Sequence, residues 1–312
     1  MEVQLAQLRA LQAVVRHASF SRAAEELHLT QPAVSMQIRQ LEDTVGLPLL
    51  ERVGKRAFLT QAGELLLAHA TRALRELQTG LELVQQLRGV VAGRIRLGTS
   101  ASISIYLLPP LLRRFRSRYP DTELIVVTGN APEIRRAVVA NELDIGVVSL
   151  PVRERELVVT PLHRDEILAI APPGSKWRKL RVATPAQLAG ESLILFEQGG
   201  TIRGVIDGWF RAAGVSPGLP MELGNTEAIK KLVGAGLGLS ITSGFTVREE
   251  AKAGTLAVVR LEPPLFREIG VIHRKDKPRT PALDAFLAAL EDLHQALGAR
   301  SRAARKGRVA LG

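Results

Sequence analysis

The sequence contains no cysteine, and its six histidines are scattered along the chain. Without thiols the protein can form no disulfide bond, no thiolate zinc site and no cysteine nucleophile, and a reducing compartment suits this composition. No two histidines stand at the spacing of a metal-ligand pair. We therefore expect neither a metal site nor histidine-based catalysis.

The chain also lacks any charge-free apolar run of about 18 residues, the length that a transmembrane helix needs. Its beginning, MEVQLAQLRALQAVV, is amphipathic and carries Glu2 in place of the basic region of a signal peptide. The 312 residues, of which 46% are hydrophobic and 23% charged, suit two or three globular units. We therefore expect a cytoplasmic protein.

Acidic residues are in the minority, which gives a formal net charge of +11. The excess lies mainly in the stretch Arg94–Arg118 and in the tail, where Arg300–Arg308 holds no acidic residue, whereas residues 1–90 are nearly balanced. We interpret residues 298–312 as a basic, disordered tail in solvent. Nucleic-acid binding therefore has to be argued from motif geometry and not from charge.

Residues 1–45 show the periodicity of three short helices, the first of which ends near His17. Ser21 can cap a second helix over Arg22–Leu27, and Thr30 can cap a third. Apolar side chains recur at three- and four-residue steps along the first and third helices, so each buries one stripe. The stripe of the first helix is Leu5, Leu8, Leu11 and Val15, and that of the third is Val34, Ile38, Leu41 and Val45.

The third helix leaves a polar face free, and a short basic hairpin follows it. Short polar and amide side chains at a helix N-terminus suit base edges in a major groove, and basic side chains beside it suit phosphates. Periodicity alone leaves two interpretations open, a helix-turn-helix that reads DNA and an ordinary helical hairpin. In the first, the helix contributes Gln31, Pro32, Ser35, Met36 and Arg39, and the hairpin, as a wing, contributes Arg52, Lys55 and Arg56.

A long stretch of this segment resembles the LysR-type transcriptional regulators. It runs from Ser19 to Glu42 as SFSRAAEELHLTQPAVSMQIRQLE and continues with GLPLLER at 46–52 and LTQAG at 59–63. The match is long and specific, and the resemblance covers nearly the whole chain. It favours the DNA-binding interpretation and implies a mainly α winged helix-turn-helix domain over residues 1–60.

Residues 61–88 contain no proline and predict one long linker helix with the seam of a two-stranded coiled coil. The seam can pack against the chain's own body or against a second copy. A lone winged module reads only a half-site, which favours a homodimer. In the resembling family this helix dimerises, tetramers are common, and RNA polymerase is a further candidate partner. We expect a hinge at residues 89–93. The seam residues are Leu67, Ala70, Leu74, Leu77, Leu81 and Val84.

Beyond Arg94 the pattern changes to short apolar runs that alternate with helices, which predicts an α/β fold. The resemblance implies an effector-binding domain over residues 94–297, built from two doubly wound subdomains like those of type II periplasmic binding proteins. The first subdomain is expected at 94–162 and 266–297, and the second at 163–265. The chain would cross between them near Leu162 and Phe266.

Polar residues follow strands or precede helices at several places in this domain. In doubly wound sheets the ligand lies beyond the carboxyl ends of the strands, where helix N-termini favour anions. Singly, each hydroxyl is more often a helix cap, but together they converge if the two-subdomain fold is correct. The family's loop Gly-Ser-Gly-Thr-Arg here lacks its serine and reads Gly199-Gly200-Thr201-Ile202-Arg203. The candidate effector-binding residues are Ser100, Ser102, Thr128, Gly200, Thr201, Arg203 and Asn225.

Together these features predict an effector-responsive DNA-binding transcription regulator that takes a small anionic metabolite and needs no other cofactor. Catalysis is not expected, because no nucleophile with a base and no acid–base pair stands at credible positions. A constitutive, architectural DNA-binding protein without an effector is the alternative. A solute-binding protein of a transporter would share the C-terminal module, but it would lack the winged domain and carry an export signal.

Overall fold

The computed structural model describes residues 2–54, 56–86, 91 and 93–309, without the side chains of residues 52, 82, 85, 86 and 300–309. The chain divides into two compact units, Met1–Val90 with Ala140–Glu142, and Val91–Val139 with Leu143–Gly312. Among the described residues, none of the helices combines the length and the apolar character that crossing a membrane requires.

The first unit is a helical bundle followed by a two-stranded hairpin and a long helix, the winged helix-turn-helix with linker helix that the sequence predicts. The hairpin strands pair antiparallel and turn at Gly54, whose φ of +63° suits glycine. The elements are α1 (Leu5–His17), α2 (Phe20–Leu27), α3 (Gln31–Val45), β1 (Leu50–Val53), β2 (Arg56–Leu59) and α4 (Gln61–Gln86).

Small buried side chains let the three bundle helices pack closely. Ala10 on α1 and Ala23 on α2 are completely buried, and the predicted stripe of α3 is buried at its first three positions. The prediction for Leu5 is wrong, because this first residue of α1 lies outside the buried face and is exposed. The buried residues of α1 are Gln7, Leu8, Ala10, Leu11, Ala13 and Val14.

The helix caps agree with the sequence at α3 and differ at α2. The Thr30 hydroxyl accepts from the Ala33 N–H at 3.4 Å, as predicted. At α2 the cap is Ser19, which accepts from the Arg22 N–H at 3.4 Å, and not Ser21. The helix therefore begins two residues earlier than predicted. Its first residue, Phe20, packs against the core of the unit.

The joint between the hairpin and α4 explains the LTQAG motif physically. The Thr60 hydroxyl accepts from the Gly63 N–H at 3.0 Å and donates to the Pro48 carbonyl at 2.7 Å. A Cβ atom at Gly63 would lie 2.0 Å from the Leu49 carbonyl oxygen, so only glycine fits there. The Glu42 carboxylate also accepts from the Leu49 N–H at 2.8 Å, which ties the end of α3 to the same corner.

The second unit alternates strands and helices as predicted. Its first half contains β3 (Gly93–Thr99), α5 (Ala101–Tyr106), α6 (Pro109–Arg118), β4 (Thr122–Thr128), α7 (Ala131–Val139) and β5 (Ile145–Ser149), followed by β6 (Leu157–Ala171). Its second half contains β7 (Val182–Ala183), α8 (Pro185–Ala189), β8 (Ile194–Phe196), α9 (Thr201–Ala212), β9 (Met221–Leu223), α10 (Thr226–Gly234), β10 (Ser240–Ser243) and α11 (Arg248–Ala253), followed by β11 (Ala257–Arg274) and α12 (Pro281–Val309).

Two long strands run through both halves of this unit. The strands β6 and β11 pair antiparallel side by side in the order β10-β6-β11-β5-β3-β4. In the first half β3 pairs in parallel with β4 and β5, and in the second half β8 pairs in parallel with β9. Leu162 and Phe266, the predicted crossing points, lie inside β6 and β11. Each half has its own apolar cluster, one around Phe286 and one around Phe210.

The two ends of the second unit differ in part from the sequence prediction. Residues 89, 90 and 92 of the predicted hinge lie outside the described residues, and Gly93 already begins β3. The helix α12 continues to Val309, whereas the sequence predicts a disordered tail from residue 298. Alanine and arginine are strong helix formers and the segment contains no proline, so propensity extends the helix past its last buried leucine, Leu297.

Candidate functional site

The exposed face of α3 carries the residues that the sequence assigns to DNA reading. Gln31, Pro32, Met36 and Arg39 are exposed above the buried stripe, and Ser35 is half-buried. The Gln31 amide donates to the Ser35 hydroxyl at 2.8 Å, one helical turn along. This bond holds an amide and a hydroxyl at a fixed separation at the helix N-terminus, where side chains can reach base edges.

The hairpin beside α3 has the form of a wing. Arg56 is exposed at the start of β2. Lys55 and the side chain of Arg52 lie outside the described residues, so the structure places only one of the three predicted basic side chains. An exposed arginine at a wing suits a phosphate contact that positions the protein without reading sequence.

The helix α4 changes character along its length. Its first half packs on the core of its own unit, where Ala70 is buried and Leu67 and Leu74 are half-buried. In its second half the seam continues as Leu77, Leu81 and Val84, which are 43%, 52% and 64% exposed. The first half of the seam therefore packs on the chain's own body, whereas the second half is an apolar stripe that is about half exposed.

A cavity of about 340 Å³ lies in the second unit between its two halves. The volume is at the lower end of the usual range for ligand pockets and fits a small metabolite. Residues of β4, β5 and the α5 region line one side, and residues that begin α9 and α10 line the other. The structure brings six of the seven candidate effector residues to this cavity, namely Ser100, Ser102, Thr128, Gly200, Thr201 and Asn225.

Strand ends and helix starts position these polar groups. Ser100 precedes α5, and its hydroxyl lies 3.3 Å from that of Ser102. Thr128 is the exposed last residue of β4, and Thr201 is the first residue of α9. The Asn225 side chain accepts from two N–H groups of α10, from Glu227 at 2.8 Å and from Ala228 at 3.1 Å, so this residue is partly occupied as a cap.

Arg203, the seventh candidate, is not among the described residues that line the cavity. It is buried, and its guanidinium donates to Asp207 and Glu222 at 2.8 Å and to the Phe196 carbonyl at 2.5 Å. Burial acts to lower the pKa of Arg203, but the hydrogen bonds and charges of Glu222 and Asp207 outweigh it and raise the pKa. This arginine therefore holds α9 to the neighbouring strands, and the sequence prediction of a ligand contact is not supported by its position.

Arg267 on β11 lines the cavity and was missed by the sequence reasoning. Its side chain is 4% exposed, and its Nε donates to the equally buried Asp165 at 2.7 Å. One signal could have found it. In β11 Arg267 occupies an inward position of the alternating pattern, two residues before the buried Ile269, where an apolar residue is the rule.

A second charged group at the cavity joins the two halves of the unit. Glu227 lines the cavity, and its carboxylate accepts from the Tyr106 hydroxyl of α5 and from the Lys230 ammonium at 2.9 Å. Lys230 is buried and also donates to Glu250 at 2.6 Å. Because Tyr106 belongs to the first half and the other three to the second, this network bridges the halves beside the cavity.

No group of three or more potential metal-ligating side chains occurs in the described part of the chain. The groups that converge on the cavity are instead hydroxyls, an amide, a guanidinium and a carboxylate. Such a set can recognise a small polar ligand by hydrogen bonds and charge.

Comparison with known proteins gives matches over both units. Residues 5–64 match the family model of the bacterial regulatory helix-turn-helix protein, lysR family, and residues 88–295 match that of the LysR substrate binding domain. The RuBisCO operon transcriptional regulator of Allochromatium vinosum is 35% identical over 291 residues, which cover 92% of this chain and 95% of the relative. The transcriptional regulator CfxR of Cupriavidus necator is 36% identical over 287 residues, 92% of this chain and 90% of the relative.

Among solved structures, that of a full-length OxyR variant from Pseudomonas aeruginosa is similar with a TM-score of 0.73. The two chains are 25% identical, and the match covers 93% of this chain and 98% of the other. Both units of the fold therefore have counterparts in one known protein.

Proposed function

This chain belongs to the LysR family of bacterial transcriptional regulators, and from that premise we propose that it regulates transcription in response to a small anionic metabolite bound in the cavity of its second unit. Members of the family bind DNA and effectors and are not enzymes. Because its DNA target lies in the bacterial cytoplasm, the protein acts there.

The observation that carries the ligand proposal is the convergence of polar groups from both halves of the second unit on one cavity. Ser102 and Thr128 come from the first half, and Thr201 comes from the second. A ligand that bonds to both sides stabilises their approach, and this gives the differential binding that an effector needs to shift a conformational equilibrium. An anion fits best, because α9 and α10 begin at the cavity and helix N-termini favour negative charge.

For DNA binding we propose a homodimer that pairs through the exposed half of α4 and presents two copies of α3 to a two-fold symmetric site. Gln31, Ser35, Met36 and Arg39 would contact bases, with Pro32 packed beside them, while the basic wing would contact phosphates. Two such dimers can form a tetramer, and RNA polymerase is the protein that the bound regulator would contact.

The test is protection mapping of the full-length protein on the DNA next to its own gene, with and without candidate small anions. We expect two protected half-sites and a change in the pattern when the effector is present. Absence of any protected site would contradict the DNA proposal.

The ligand site is tested with the small anion that changes the protection pattern. Thr128→Val keeps the shape but removes the hydroxyl, and Ser102→Ala removes a second one. Both variants are expected to keep the DNA affinity measured without effector and to lose the response. If both respond like the wild type, the effector binds elsewhere.

A further inference from the structure

Arg267 is a buried charged group whose hydrogen-bonding capacity is only partly used. Its Nε donates to Asp165 at 2.7 Å, its Nη1 lies 3.4 Å from the Ser149 hydroxyl, and its guanidinium carbon lies 5.3 Å from the centre of the Phe245 ring. Its Nη2 is buried and has no hydrogen-bond partner among the described residues. A buried charged donor without an acceptor is costly, and proteins rarely leave one unless something else binds it.

The partners of Asp165 fix the orientation of this guanidinium. Asp165 and Arg267 are direct cross-strand neighbours on β6 and β11, the two strands that pass through both halves of the unit. The same carboxylate oxygen also accepts from the Ser243 hydroxyl at 2.6 Å. Asp165 therefore acts as a positioning residue, which holds the Nε edge of Arg267, while the buried Nη2 has no acceptor among the described residues and belongs to a side chain that lines the cavity.

We propose that Arg267 is the charge anchor of the effector site and binds an oxyanion of the ligand, a carboxylate, phosphate or sulfur oxyanion, through Nη2. This inference rests on the proposed ligand cavity and deepens it. An ionised acceptor makes the strongest hydrogen bond that a guanidinium can form, so a neutral metabolite would leave part of this bonding capacity unused. The anchor lies on the strands shared by both halves, so the ligand would contact the structure that sets their separation.

The test is calorimetric titration of the full-length protein with sodium phosphate, sulfate and acetate at constant ionic strength, supported by thermal melting. The wild type is expected to bind at least one of these anions. The double variant Arg267→Met/Asp165→Asn removes both charges of the pair and should bind that anion about 10- to 100-fold more weakly, the loss of one charged hydrogen bond. Arg267→Lys keeps the charge but removes the planar fork with its Nη2 donor, so it should also bind the anion more weakly than the wild type, and it serves as the second variant if the double variant does not fold.

Asp165→Asn alone gives the opposite expectation. Asparagine keeps an oxygen that can accept from the Arg267 Nε, so the guanidinium stays in place, but the counter-charge is removed and anion binding should become tighter than in the wild type. The matched control is Arg211→Met, which removes one positive charge from an exposed position on α9 and should leave anion binding unchanged.

The inference is overturned if the Arg267 variants bind the anions as the wild type does, or if the wild type binds none of them. The proposed function fails in a different way. If anion binding depends on Arg267 but neither the DNA footprint nor its pattern responds to any anion, the anchor stands and the effector role is wrong.

Discussion

The exposed half of α4 allows a sharp test of the proposed homodimer. We expect Leu77→Glu combined with Leu81→Glu to separate the proposed dimer, because both side chains lie on the exposed stripe. Leu74, one turn earlier, is less suitable, since it packs on the core of its own unit and its replacement would destabilise that unit.

The size of the effect follows from the area still available for burial. Complete burial of a leucine or valine side chain contributes about 1.5–3 kcal/mol. Leu77, Leu81 and Val84 are about half exposed, so the remaining burial of each adds about 1 kcal/mol on pairing. Replacing two leucines on both chains removes about 4 kcal/mol, before the repulsion between glutamates is counted, and this weakens dimerisation about 1000-fold.

The assay is sedimentation equilibrium of the full-length protein over a range of concentrations. Leu65→Glu is the matched control, because Leu65 is equally a leucine of α4 and is 65% exposed, but stands two residues before the seam position Leu67 and off the stripe. The control should keep the mass of the wild type. If the double variant also keeps that mass, the second half of α4 does not form the dimer interface, and the reasoning from its exposed stripe is wrong.

Three further predictions concern the corner, the reading helix and pH. Gly63→Ala should lower the free energy of unfolding by about 1–3 kcal/mol, because its Cβ would collide with the Leu49 carbonyl. Gly80→Ala lies in open space on the same helix and should raise the free energy of unfolding by up to about 1 kcal/mol. Thermal melts in which both variants shift alike would refute this. Ser35→Ala should weaken binding to specific DNA by about 1–3 kcal/mol and leave binding to random DNA unchanged, whereas Arg56→Ala should weaken binding to both DNAs alike. Anisotropy titrations at several salt concentrations measure the two effects. Burial lowers the pKa of His163 below its ordinary 6.5, so the folded protein loses stability as the pH falls through and below that value. His163→Gln should therefore flatten the dependence of Tm on pH in this range. An unchanged slope in the variant would contradict this prediction.

Local sequence signals predicted most elements of the fold. The proline at position 109 and the clear apolar period after it predict a helix over residues 109–118, and α6 begins and ends there. The helix α5 was missed because its six residues are too few to show a period. Either serine, Ser19 or Ser21, satisfies the local rule for the cap of α2, so the sequence alone does not separate them, and in the structure Ser19 is the cap and Phe20 packs on the core.

The candidate site shows the same division between local and distant information. Ser100, Thr128 and Thr201 could be found because each ends a strand, follows a strand or begins a helix, and the topology of doubly wound sheets brings such positions together. The pair of Asp165 and Arg267 could not, because 102 positions separate the two residues and only the pairing of β6 with β11 makes them neighbours. A single sequence contains the alternation that marks Arg267 as inward, but not the identity of its partner.

The two buried arginines of the second unit show how a structure can separate a stabilising residue from a binding one. Arg203 belongs to a segment that the family resemblance associates with ligands, yet in α9 its guanidinium already has Asp207, Glu222 and a backbone carbonyl as acceptors. Arg267 stood in a strand with no such association, yet one of its terminal nitrogens has no acceptor among the described residues. Burial is equally deep for both, so it does not distinguish them. What distinguishes the two arginines is whether their N–H donors have acceptors. A guanidinium whose hydrogen bonds are complete gains little from a ligand. A buried guanidinium with a free donor gains a charged hydrogen bond when an anion binds.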